Sequence, residues 1–322
     1  MQEQPAQEDA EQERPGARTA ISPPWWRTAS GALAMCFVGS STAVSQLLVD
    51  APLFTAQAVR YGIAAALLAL VMRLRGQQIV RPAGREWLWL LGLAVSGLVV
   101  FNVALVRGAR HAEPAVIAVA VAAVPILLGV LGPLLERRRP GARLLLAAAV
   151  VTAGAVLVVG VGRTDLIGIG WALVALICEA GFTLLAVPVL PRLGPAGVSL
   201  HSIWIATVLL AAIGVGAEGP AAVAALTRSE WIAIGYLAVF VTVIAFLLWY
   251  GCVQAIGADR AGLLTGVAPV AAALIGAVVL GEMPALGVWL GIAVVIAGLA
   301  IGLGPSARRR TGADAVTLSR TA

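Results

Sequence analysis

Apolar residues run almost unbroken for about twenty positions at a time, then give way to short polar gaps, and this rhythm repeats along most of the chain. Ten such stretches are present, at 29–49, 53–72, 87–106, 114–135, 144–162, 166–188, 198–217, 231–252, 260–281 and 285–304. A helix needs ~20 apolar residues to cross a hydrocarbon core, so each stretch predicts one crossing. Strands of a membrane barrel would instead show short segments alternating apolar and polar positions, and none does. The expected fold is an all-α membrane protein with ten transmembrane helices. Polar, Gln- and Glu-rich residues 1–28 and the Arg-bearing residues 305–322 read as disordered cytoplasmic tails.

The two halves of the pattern resemble each other at an offset of 144 residues. "EWLWLLGLAV" from Glu86 aligns with "EWIAIGYLAV" from Glu230, Pro125 with Pro269, and Gly154 with Gly298. The helix-end glutamates Glu136 and Glu282 fall two residues out of step. Residues 29–162 and 166–304 are therefore expected to be two five-helix repeats. Five is odd, so the second repeat enters the bilayer from the opposite side, an inversion that marks many secondary transporters.

Composition supports a lipid solvent. Of the 322 residues 60% are hydrophobic and 12% charged, and mean hydropathy is +0.96, against ~25% charged in soluble domains. All 22 basic residues are Arg. With a cytoplasmic N-terminus, seventeen fall in cytoplasmic segments and four in outer loops. The positive-inside rule then places both termini in the cytoplasm of a multi-pass protein of the cell membrane. The Arg lie in gaps between apolar runs and form no single stripe, which argues against nucleic acid as a partner despite the net charge of +6. Cys36, Cys178 and Cys252 sit inside apolar runs without metal-ligand spacing and read as small buried hydrophobes. No metal or other cofactor is expected.

Away from the ends of the stretches, the ionisable side chains other than Cys and Tyr are Arg60, Glu179 and the ring of His201. A charge inside the bilayer is costly and a functional candidate by default. Glu179, in "ALICEAGFTLLAV", lies ~18 Å into the sixth stretch at ~1.5 Å per residue, near the midplane. A carboxyl there is placed to take up and release a proton, or to bind a cation; it could equally pack helices together or pair with Arg60. Arg60 lies ~10 Å in from the outer end of the second stretch by the same rise, with Gln57 one turn before it. Its guanidinium could hold a substrate carboxylate bidentately or snorkel to the interface.

Pro125 and Pro269 each remove a helix hydrogen bond, to Val121 and Thr265, and are candidate hinges beside a binding site. Ser41, Ser45, Gln46, Asn102, Thr183, Trp204, Trp249 and Tyr250 are further candidates for a mixed polar and aromatic lining; Trp249 and Tyr250 could instead be interfacial anchors. The pairs Gly262/Gly266, Gly287/Gly291 and Gly298/Gly302 are expected to pack helices closely.

The ten-helix, two-repeat plan, the "LLERRRP" and "LGEMP" endings and "VRYGIAAALLAL" together resemble the drug/metabolite transporter superfamily, specifically its EamA-type permeases, over roughly residues 30–304. The resemblance implies secondary transport without ATP, often efflux of amino acids, related metabolites or drugs. It does not supply Glu179, since the family pattern more often has an aromatic or small residue there. No Walker-type phosphate loop is present. The expectation is a non-enzymatic exporter of small organic solutes, with protons as a possible coupling partner through Glu179. An intramembrane enzyme and a non-transporting scaffold are the alternatives; His111 and His201 stand beside no obvious nucleophile, which disfavours the first.

Overall fold

In hydrocarbon every backbone polar group must be satisfied within the protein, so the apolar runs can only be helices. The computed structural model describes residues 25–281 and 283–304; most of the two expected tails, and Glu282, lie outside the described residues. Ten helices are long and apolar enough to cross a membrane: α1 Trp25–Leu48, α2 Leu53–Leu74, α3 Glu86–Gly108, α4 Pro114–Leu135, α5 Ala142–Val159, α6 Leu166–Leu184, α7 Leu190–Ala217, α8 Arg228–Ile256, α9 Ala258–Val278 and α10 Leu286–Leu303. Apart from a lone antiparallel bridge between Ala112 and Thr164, all regular structure among the described residues is helical.

Several boundaries differ from the sequence expectation. Residues 25–28, assigned to the tail, form the first turn of α1, where Arg27 lies 4.0 Å over the Trp26 ring; amphipathic side chains suit a helix end at an interface. α7 begins early, at Leu190, but Gly194 (φ 67°) and Pro195 break it, so its straight part matches the expected stretch.

Ionic and capping ties fasten the helix ends. On the face that holds most of the Arg, called here the Arg-rich face, Arg192 pairs with Glu86 and donates to the Arg81 carbonyl at 3.0 Å. Arg138 bridges Glu136 at 2.6 Å and Asp259 at 3.5 Å, and Arg143 donates to the carbonyls of Ile301 and Gly304 at the end of α10. On the opposite, Arg-poor face, Arg163 pairs with Glu113 at 2.8 Å and His111 with Asp165 at 3.0 Å. Glu218 accepts from the first backbone N–H groups of α2, Phe54 and Thr55, at 2.9 and 2.8 Å, filling positions that a helix start leaves unsatisfied. Each tie joins segments that ten alternating crossings place on one face.

Arg163 holds the Glu113 carboxyl below its ordinary range. The Gly168 N–H, then His111, do the same for Asp165. Both groups thus contribute above the ordinary carboxylate range, and their contribution is lost as pH falls through the lowered values.

Helix packing has a near-symmetry. Exchanging each helix with the one five places on turns the contacts α1–α8 and α1–α9 into α6–α3 and α6–α4, and leaves α2–α7, α4–α9 and α5–α10 as they are. Two contacts break it. α5 packs on α9, with no comparable packing between α10 and α4. α7 packs along the second half of α8, where Gln254 also donates to the Leu190 carbonyl at 3.0 Å, while α2 and α3 have no comparable packing. The α7–α8 contact lies at the Arg-rich end.

The tightest approach is between α5 and α10. A Cβ on Gly154 would meet the Val295 backbone nitrogen at 2.7 Å, and one on Gly298 the Val151 nitrogen at 2.8 Å. Gly291 is equally hemmed in, whereas a Cβ on Gly287 meets nothing within 4 Å. The expected close-packing role therefore holds for Gly291 and not for its sequence partner. Gly154→Leu and Gly291→Leu should each destabilise the protein by ~1–3 kcal/mol, the usual cost of overpacking. Gly287→Leu should be neutral, as read by the thermal midpoint of the detergent-solubilised protein.

Candidate functional site

Arg60 cannot leave its charge unsolvated inside the bundle, and two helices, its own α2 and α8, supply its partners. Its Nε donates to Thr242 Oγ1 of α8 at 3.0 Å, its Nη1 to Gln57 Oε1 at 3.3 Å, and the guanidinium carbon lies 5.1 Å from the Tyr61 ring centroid. Tyr61 is buried, and its hydroxyl accepts from Asn102 Nδ2 of α3 at 3.2 Å; Asn102 also donates to the Leu98 carbonyl at 2.6 Å. The structure thus brings Gln57, Arg60 and Asn102 together, and adds Tyr61 and Thr242.

Both helices that join α2 here are irregular where they do this. α3 is π-helical over Ala94–Val100 and α8 over Leu237–Ile244. The wider π turn brings the carbonyl of Leu237 within 2.9 Å of Thr242 Oγ1, which donates to it. Such bulges are rare and recur at functional sites.

Glu179 stands deeper. α3 and α6 run antiparallel, with Gly97 against Phe182 and Gly108 against Trp171. α8 runs beside α6, where Trp249 Nε1 donates to Thr183 Oγ1 and the Tyr250 hydroxyl to the Phe182 carbonyl, both at 3.1 Å. Counting residues from these contacts at ~1.5 Å each puts Glu179 about 6 Å nearer the Arg-rich face than Thr242. Arg60 and Glu179 take part in no ion pair among the described residues, so the pairing held open from sequence is not formed.

Both side chains are enclosed by protein yet only half-buried by surface area. Ser199 Oγ is the one fully buried side-chain polar atom without a partner among the described residues. The unbonded oxygens of Glu179 and the Nη2 of Arg60 therefore face accessible space inside the bundle.

Below Glu179 that space ends. Phe182, Phe246 and Tyr250 stack with centroids 4.8 to 6.2 Å apart, and Thr183 and Trp249 are buried with them. The largest apolar cluster continues from here toward the Arg-rich face through Ala186, Leu190, Leu193, Val253 and Ile256. A polar ladder of Gln57, Arg60, Asn102 and Glu179 thus stands on the Arg-poor side of a dry floor. Thr183 belongs to that floor. Trp249 and Tyr250, 3% and 0% exposed, are floor residues and not interfacial anchors.

The remaining candidates lie elsewhere. Ser45 is exposed at the Arg-poor end of α1. Trp204 is near the Arg-rich end, where its Nε1 donates to His201 Nδ1 at 3.1 Å while His201 Nε2 donates to the Val80 carbonyl at 2.9 Å. Those two bonds require the neutral ring with its proton on Nε2. Pro125 and Pro269 do sit at interruptions: α4 breaks at Ala123, and α9 passes through a 3-10 turn at Leu264–Gly266. The Ala122 carbonyl beside the first break is taken up by Thr152 of α5 at 3.0 Å. Glu136, paired with Arg138, is an exposed helix-end charge. Among the described residues no group of three or more His, Cys, Asp or Glu could hold a metal. A basin of about 600 Å³ among His111, Glu113, Arg163 and Asp165 is open and lies in the Arg-poor loops, apart from the ladder.

Sequence reading missed Tyr61, Thr242 and the Glu86–Arg192 tie. Thr242 is a lone hydroxyl in an apolar run, and only its position opposite Arg60 gives it meaning. Glu86 carried a signal, since it opens the repeated "EW" motif, but its partner is distant in sequence.

Ten membrane-length helices that enclose an accessible polar ladder above a sealed floor make a polytopic membrane protein of the transporter kind. The chain belongs to the EamA-like transporter family, whose model matches residues 26–160 and again 166–303. It is 28% identical over 276 residues to the "Uncharacterized transporter YetK" of Bacillus subtilis (strain 168), covering 83% of this chain and 84% of that one. A crystal structure titled "Crystal structure of protein" shares the fold with a TM-score of 0.73 at 19% identity, over 86% of this chain and 97% of the other. Family membership sets aside the enzyme and scaffold alternatives.

In a protein with Cys36, Cys178 and Cys252 replaced by Ala, a cysteine at Gln57 or Asn102 should react with a membrane-impermeant maleimide added to the Arg-poor side. Cysteines at Thr183 and Leu190 should stay unlabelled from that side. Equal labelling of all four would show that no floor separates them.

Proposed function

We propose that this protein is a secondary transporter that exports a small organic solute, amino-acid-like or drug-like, across the cell membrane. Its Arg-rich face and both termini are cytoplasmic. Residues 29–162 and 166–304 act as two inverted five-helix halves that rock about the ladder, with the breaks at Pro125 and Pro269 as hinges. Glu179 takes up and releases the coupling proton as the site is exposed to each side in turn, and Arg60 with Gln57 and Asn102 engages the polar end of the solute. The observation that carries this reading is Glu179 itself, enclosed at mid-depth, accessible, and without a counter-ion. A purely structural carboxylate would be expected to have a partner. The unmatched α7–α8 contact supports a state closed toward the cytoplasm and open outward.

Everted vesicles test the proposal. Solute should accumulate under a proton gradient and be lost on adding an uncoupler; no accumulation across a broad panel of amino acids and drugs would reject it. Glu179→Gln should remove gradient-driven export by tenfold or more at unchanged expression. Export that survives this change intact would take the coupling role away from Glu179 and leave transport standing.

A further inference from the structure

Two π turns reach the same dipeptide from opposite sides. In α3 the turn over Ala94–Val100 contains Leu98, whose carbonyl anchors Asn102, and Asn102 donates to the Tyr61 hydroxyl. In α8 the turn over Leu237–Ile244 contains Thr242, which receives Arg60 Nε. Leu98 and Thr242 are the 144-residue counterparts of one another. The halves thus share the backbone device and differ in the side chain it carries: only α8 supplies a hydroxyl, and it supplies it to the cation.

The direction of that bond is fixed. A threonine hydroxyl has one proton, and Thr242 spends it on the Leu237 carbonyl at 2.9 Å, so toward Arg60 it can only accept. The side chain is fully buried and no water competes for it. With Nε held by Thr242 and one Nη1 proton directed to Gln57, Arg60 keeps both Nη2 protons and one on Nη1 uncommitted among the described residues. That is a planar fork suited to two carboxylate oxygens.

We propose that Thr242 is a positioning residue: held by the π turn of α8, it orients Arg60 so that the free edge of the guanidinium receives the carboxylate of the transported solute. This rests on the reading of the ladder as a solute site. It also separates two jobs in one cavity, since Arg60 binds an anion while Glu179, nearer the Arg-rich face, handles the proton. The role belongs to Thr242 and not to the nearer neighbour Gln57. Gln57 sits on the same helix one turn away and its bond is the longer one, 3.3 Å against 3.0 Å.

The test uses the purified full-length protein in detergent, with benzoate as probe and benzamide as its neutral isostere. Affinity is read from the concentration dependence of thermal stabilisation. Wild type should bind benzoate in preference to benzamide. Thr242→Val, nearly the same shape without the hydroxyl, should weaken benzoate about tenfold, as expected for a lost hydrogen bond to a charged group, and leave benzamide unchanged. Thr242→Ser should return benzoate affinity to within about twofold. Thr242→Ala serves if the Val protein does not fold.

Unchanged benzoate affinity without the hydroxyl would overturn the proposal. So would equal loss for both probes, which marks a merely structural role, or wild type that does not prefer the anion. Export from vesicles reads the parent reading separately. Benzoate discrimination that depends on Thr242 in a protein that moves no solute rejects transport and keeps the positioning role. Glu179-dependent export with benzoate affinity indifferent to Thr242 does the reverse. On an exported carboxylate solute, Thr242→Val should raise KM about tenfold with little change in kcat.

Discussion

A polar group inside hydrocarbon must find its partner within the protein, and this constraint organises the molecule. At the two faces, where water and headgroups are available, the helix ends are still tied by Glu86–Arg192, Arg138 with Glu136 and Asp259, Glu113–Arg163 and the Glu218 cap on α2. In the interior, Arg60 shows the rule obeyed, with Thr242, Gln57 and the Tyr61 ring arranged about it. Glu179 shows it suspended. Its exception is tolerable only because the space it faces is accessible, which is why the same residue is both the structural anomaly and the functional candidate.

The backbone departs from regular α-helix where function would use it. The π turns lie in α3 and α8, and the breaks near proline in α4 and α9. Each costs regular hydrogen bonds, and side chains take up carbonyls beside each: Thr242 donates to Leu237, Asn102 to Leu98, Thr265 to Gly262 and, from the neighbouring α5, Thr152 to Ala122. Peripheral α5 and α10 are regular and meet through glycines, so that pair forms a stiff seam. α3 and α8, which border the ladder, are thus irregular, whereas the α5–α10 seam is regular.

Asymmetry within a near-symmetric frame distinguishes the two ends of the structure. Most contacts survive exchange of the two halves, but α7 closes on α8 while α2 and α3 do not close alike. The aromatic floor of Phe182, Phe246, Trp249 and Tyr250 lies on the same side as that closure. The α7–α8 contact and the aromatic floor thus lie together on the Arg-rich side of the ladder.

The sequence by itself determined the ten helices, because twenty apolar residues in a row have no other stable form in lipid, and it marked Arg60 and Glu179, because charges in such runs are rare enough to see. It also pointed to irregularity near Pro125 and Pro269, since proline cannot donate, although the interruptions themselves fall at Ala123 and Leu264–Gly266. Tertiary structure alone decided which of the marked residues meet. It gave Arg60 to Thr242 and not to Glu179, sent Thr183 into the floor, and left Ser45 and Trp204 outside the ladder. The reason is that hydrophobicity and proline act on the residue that carries them, whereas a partner is chosen by helix rotation and by register between helices far apart in sequence. A uniformly apolar run carries almost no record of either: the long, mostly aliphatic faces of α3 and α8 do not say which side turns inward. The π turns shift that rotation partway along each helix, and no residue type in "AVSGLVV" or "LAVFVTVI" announces them.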